Sequence, residues 1–155
     1  MVTVGRNGKT VVSILLVLAT GGILWYVMAP PKGVDGFRER SASTAESLRS
    51  QVETAAIWAE TVAKGDATHA AALVGFEEAE HDASSAISSY ETYEPPDDVL
   101  PLRAKLIGLA SEVTDALGAL RIAGQQEDWA EVPALAEPLP RLSADLRRFE
   151  DRVKP

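Results

Sequence analysis

The sequence predicts an all-α protein: a single N-terminal transmembrane helix followed by an antiparallel, up-down-up-down four-helix bundle whose last helix is kinked by prolines. Three observations carry this prediction. Thr10 to Ala29 is a run of twenty residues without one charge. After it, apolar residues recur at spacings of three and four through four successive stretches, the mark of helices that bury one stripe. Between those stretches lie short breaker clusters at Gly65-Asp66, Pro95 to Asp98 and Gly124 to Asp128. Connections that short turn neighbouring helices antiparallel.

Residues 1–9 read as a short cytoplasmic tail and 10–29 as the membrane anchor. At 1.5 Å per residue the run spans ~30 Å, the thickness of the hydrocarbon layer. Arg6 and Lys9 precede it, while Trp25 and Tyr26 lie near its far end, where amphipathic rings favour the headgroup layer. The positive-inside bias keeps the N-terminus in the cytoplasm and delivers the rest to the extracytoplasmic side. The alternative is a secreted protein released by cleavage after Val27-Met28-Ala29. Against cleavage, Pro30 would follow the cut, and the run exceeds the roughly 7–15 residues of a signal-peptide core.

Pro30, Pro31, Gly33 and Gly36 define a linker over residues 30–37, and the bundle occupies 38–155. In the first helix the stripe is Ala45, Leu48, Val52, Ala55, Ala59 and Val62. The second is Leu73, Phe76, Ala83, Ile87 and Tyr90, with Glu80 taking one seam position. The third is Val99, Leu102, Leu106, Leu109, Val113, Ala116, Leu120 and Ala123. The fourth runs Trp129, Val132, Leu135, Leu139, Leu142, Leu146, Phe149 and Val153. Asp66 is placed to cap the second helix. Pro133, Pro138 and Pro140 predict a kink or break between Ala136 and Leu142, because each removes an amide donor. A faint echo relates Asp66 and Leu73 to Asp128 and Leu135, each Asp at the tip of a helical hairpin.

Charge and inventory exclude several functions. Residues 1–32 carry Arg6, Lys9 and Lys32 and no acid, a net +3; residues 33–155 carry 12 bases and 23 acids, a net −11. An acidic domain of this kind repels nucleic-acid phosphates, so nucleic-acid binding is set aside. There is no cysteine, which removes thiolate ligands and cysteine nucleophiles. No serine sits in a nucleophile elbow, no Gly-rich phosphate cradle follows a strand, and an enzyme is not expected.

The one metal-like motif is Glu78-Ala79-Glu80-His81, a Glu-x-x-His spacing that holds di-metal sites inside four-helix bundles. Here the spacing directs Glu78 and His81 some 150° from the apolar stripe, so the pair points outward. Glu77, Glu78 and His81 remain candidates for a surface cation site, and no cofactor is expected. Glu80 falls near the stripe, where an ionised carboxylate needs a partner or must reach solvent; Arg103, Lys105 and Arg121 are the bases in reach. His69 reads as a packed residue at the core edge. Trp58 and Trp129 are candidate core plugs or partner anchors. Together these readings describe a membrane-anchored extracytoplasmic bundle that acts by protein–protein binding, an accessory or scaffold subunit of a cell-envelope complex. The alternative is a sensor-like bundle that binds a ligand or a divalent cation.

Overall fold

A computed structural model describes residues 33–154. The expected membrane span at 10–29, with Arg6, Lys9, Trp25 and Tyr26, lies outside the described residues. Among those described, no helix is long and apolar enough to cross a membrane. The described residues are helical and contain no strand. They form α1 (Val34–Ala63), α2 (His69–Glu91), a 3-10 turn (Asp97–Val99), α3 (Leu100–Gln125), α4 (Val132–Ala136) and α5 (Leu139–Val153).

Contacts between helices fix the antiparallel order. Along α1 and α2, Phe37 meets Tyr90 with ring centroids 5.6 Å apart, Gln51 meets Asp82, and Trp58 meets Gly75. Along α2 and α3, Glu91 meets Arg103 and Glu77 meets Gln125. Along α1 and α5, Arg49 meets Glu150 and Glu53 meets Ser143. In each pair one number rises as the other falls. α1 packs extensively on both α2 and α5, and α2 on α3, while α3 touches α5 more sparingly.

The α1 stripe is buried as the spacing predicts, from Ala45 through Val62. Its helix starts earlier than expected, at Val34, so residues 34–37 are helix rather than linker and Phe37 is fully buried. The break comes instead at Gly33, whose φ of 96° a side-chain-bearing residue rarely adopts. On α2 the buried line is Ala72, Gly75, Phe76, Ala79, Ala83 and Tyr90. Ala79, not Glu80, therefore holds the seam; Ile87 packs at its edge, and Leu73 is half-buried beside Gly124 of α3. On α3 the line passes through Ala110 and Leu117, with Leu102, Leu109 and Ala116 beside it.

Both hairpin tips close in the same way. At the end of α1, Gly65 N–H donates to Val62 O and Asp66 N–H to Thr61 O, both at 2.9 Å, with Gly65 left-handed at φ 76°. This is the Schellman pattern, which satisfies the last carbonyls of a helix. At the end of α3, Glu127 N–H donates to Gly124 O and Asp128 N–H to Ala123 O, with Glu127 left-handed at φ 60°. The echo between Asp66 and Asp128 is thus one capping geometry used twice. Asp66 is engaged there and does not cap α2; the Thr68 hydroxyl accepts from Ala71 N–H instead.

The proline-rich stretch divides the last rod into α4 and α5 at Glu137-Pro138. Pro138 has no N–H to offer Ala134 O, and Glu137 N–H donates to it at 3.3 Å in a tighter turn. Glu137 and Pro138 keep right-handed helical dihedrals, so the apolar stripe continues from Val132 through Leu139 to Val153. Pro133 and Pro140 fall in the first turns of α4 and α5, where a missing N–H is tolerated.

Candidate interaction surfaces

The acidic group on α2 divides into two halves. Glu78 and His81 are exposed, as the helical projection requires. Glu77 and Glu80 turn toward α3, where Arg121 donates from Nε to Glu80 Oε2 and from Nη1 to Gln125 Oε1 at 2.8 Å. Gln125 Nε2 completes the chain by donating to Glu77 Oε1 at 3.2 Å. Of the three bases in reach of Glu80, Arg121 is its partner. Gly118 gives the carboxylate room, since a Cβ there would lie 3.3 Å from Glu80 Oε1. Glu77 is committed to this chain of bonds, and Glu77, Glu78 and His81 do not converge. Among the described residues, no group of three His, Asp or Glu side chains is arranged to hold a metal.

The two candidate tryptophans are half-buried rather than core plugs. Trp58 on α1 lies directly over Gly75 of α2. Trp129 stacks on His69 across the two hairpin tips, with centroids 4.2 Å apart and ring planes 13° apart. His69 is therefore an exposed ring lying on an aromatic face, not a residue of the core edge.

A second polar cluster, between α1 and α5, was not legible in the stripes. Glu150 is only 5% exposed. Its Oε2 lies 3.5 Å from Arg49 Nε, and its Oε1 accepts from Lys154 Nζ. Arg49 Nη1 donates to Glu53 Oε1 at 3.1 Å, and the Ser143 hydroxyl donates to the same oxygen at 2.8 Å. The Lys154 ammonium, opposed by burial and helped by Arg49, holds the Glu150 carboxyl below its ordinary range. The Ser143 hydroxyl, again opposed by burial and helped by Arg49, does the same for Glu53. Arg49, bonded to Glu53, is raised. Glu150 and Arg49 are spaced like surface residues in the sequence, and nothing short of the α1–α5 pairing brings them together.

Above this cluster the α1–α5 surface carries an open groove of ≈ 700 Å³. Val52, Ala56 and Leu139 form its floor, Ile57 and Ala144 its walls, and Glu53, Arg147 and Arg148 its polar rims. Ile57 is 64% exposed, the most exposed of the large apolar side chains described. The described residues thus define an all-α helical bundle in which the buried charges bind helix to helix. No protein-family model, curated protein or solved structure matches the chain.

Proposed function

We infer that this protein is a membrane-anchored, extracytoplasmic helical bundle that acts by binding, as an accessory or scaffold subunit of a cell-envelope complex. One observation supports this above others: the uncharged run at 10–29 is followed, after residues 30–33 alone, by the first residue of α1. A bundle joined to a span by so short a connection is held at the bilayer surface, where its effective concentration for a neighbouring membrane protein is high. Its role is positional. The acidic balance of residues 33–155 fits a domain that stands off anionic headgroups.

The full chain in its native membranes supplies the test. It should stay with the membrane through alkaline extraction, and a reporter fused after Pro155 should be active only outside the cytoplasm. Crosslinking followed by mass spectrometry should recover a stable protein neighbour. Activity of a cytoplasm-only reporter overturns the orientation, and recovery of this chain alone overturns the accessory role.

A further inference from the structure

The α1–α5 groove sets a carboxylate on one edge and guanidinium groups on the other. On α1, Glu53 and Glu60 stand one turn to either side of the exposed Ile57. On α5, Pro140, Ser143, Ala144, Arg147 and Arg148 follow the i, i+3, i+4, i+7, i+8 spacing of one helical face. At the groove itself the α1 edge presents the Glu53 carboxylate, with Arg49 beside it, and the α5 edge presents the Arg147 and Arg148 guanidinium groups, with Asp145 beside Arg148. Arg147 and Arg148 are 64% and 61% exposed, in a domain whose net charge is negative. The wall between the rims is small, Ser143 and Ala144, and permits close approach of another helix.

Opposite rims are what a two-fold contact requires. In an isologous interface each patch meets its own copy, so a patch of one sign repels itself, while a patch with one acidic and one basic edge attracts. The heights agree as well. Within one chain Arg147 Nη2 lies 3.8 Å from Glu53 Oε1, so the two residues share a level along the bundle. Rotation about an axis parallel to the bundle preserves level, and brings Glu53 of each copy opposite Arg147 of the other. The same rotation carries Ile57 toward the other copy's Ser143 and Ala144. We propose that the α1–α5 face is a homodimer interface, with Ile57 as its apolar anchor and Glu53 paired to Arg147 across a two-fold axis along the bundle. The direction of that axis rests on the anchoring inferred above, since two copies tethered to one membrane must run parallel.

Because the chain has no cysteine, an introduced one reports on its own position alone. The full chain carrying Ile57→Cys, in membranes and treated with a short bis-maleimide, should give a covalent dimer. Val74→Cys, on α2 and 52% exposed, should not. Adding Arg147→Glu to Ile57→Cys should cut the dimer roughly tenfold through like charges facing each other. Co-expressing that chain with Ile57→Cys/Glu53→Arg should restore a mixed dimer, which a mere loss of folding in either variant could not do. Equal dimer from Val74→Cys, no dimer from Ile57→Cys, or no recovery in the mixed pair overturns the proposal. An adduct of Ile57→Cys with a different protein alone also overturns it, and leaves the accessory role standing.

Discussion

The indole of Trp58 on α1 occupies the space that a Cβ on Gly75 of α2 would fill. Gly75 is thus what lets α1 and α2 approach at this level, and its cost in helix propensity is the condition for that contact. Gly75→Ala adds a methyl against the ring and forces Trp58 or the helix to shift, at about 1–3 kcal/mol, which exceeds the ~1 kcal/mol that alanine gains in a helix. Gly108 on α3 meets nothing within 4 Å. Gly108→Ala should therefore raise stability by up to ~1 kcal/mol. Urea-unfolding midpoints of the two variants should move in opposite directions.

Glu80 and Arg121 join α2 to α3 with about a quarter of each side chain exposed. A pair in that setting is worth more than a fully exposed one, and about 0.5–2 kcal/mol of coupling is expected. A double-mutant cycle through Glu80→Gln and Arg121→Met should return that coupling. Additive effects would show that the pair contributes no stability of its own. The same cycle run with Glu78→Gln, whose side chain is exposed on the outer face, should be additive within ~0.5 kcal/mol.

Glu127 holds a left-handed conformation at the end of α3, where the matching position after α1 is Gly65. A residue with a Cβ pays roughly 1–2 kcal/mol there, and glycine removes most of that strain. Glu127→Gly should raise the unfolding midpoint, whereas Gly65→Glu should lower it by a similar amount.

The large apolar residues made the bundle legible, and the small ones hid its phase. On α1 the alanines fall between Leu48, Val52 and Val62, so the stripe reads correctly. On α2 the seam holds Phe76 and Tyr90, but its other members are Ala72, Gly75, Ala79 and Ala83, residues with little hydrophobic weight. Leu73 and Ile87 pull the apparent centre toward Glu80, which is how a flanking carboxylate came to look like a seam residue. On α3 the same ambiguity separates Leu109 and Ala116 from Ala110 and Leu117, which are the more deeply buried. Proline chemistry located the break in the last rod to within a turn. The Arg49–Glu150 contact lay beyond any local pattern, because its two members are about a hundred positions apart and each sits beside its stripe.

Tyr90 and Ser41 form the polar contact at the α1 and α2 ends of the core. Their hydroxyls are 3.0 Å apart, and Ser41 also bonds Phe37 O at 2.8 Å. Burial raises the Tyr90 phenol above its ordinary pKa, with the Ser41 bond opposing. Tyr90→Phe keeps the ring packed on Phe37 and leaves Ser41 its backbone acceptor, so the loss should be near 1 kcal/mol. Tyr90→Ala removes the ring and should cost about 3–5 kcal/mol. Thermal melts of the two variants separate the hydroxyl from the ring.

Glu150 gives the domain an acid-sensitive joint. Its folded pKa is held down by Lys154, the residue just past its own helix, and by Arg49 from α1, with burial opposing. A carboxylate depressed on folding contributes stability that is complete above its unfolded pKa and disappears as pH falls below the ordinary glutamate range and through the lower folded value. The excess of acids contributes separately, since the net negative charge of 23 acids against 12 bases shrinks as the pH falls toward the isoelectric point of the chain, pI ≈ 4.8, and reverses below it. The stability curve of the protein alone therefore mixes two contributions. Glu150→Gln isolates one of them: it keeps the shape, removes the charge, and leaves Arg49 bonded to Glu53. At pH 7 the variant should be less stable by about 1–3 kcal/mol. That difference should shrink at a second, acid pH below the ordinary glutamate range, where the native carboxyl also takes up its proton. A difference unchanged between the two pH values would show that the loss comes from packing, and that the ion pair with Arg49 and Lys154 adds nothing to stability.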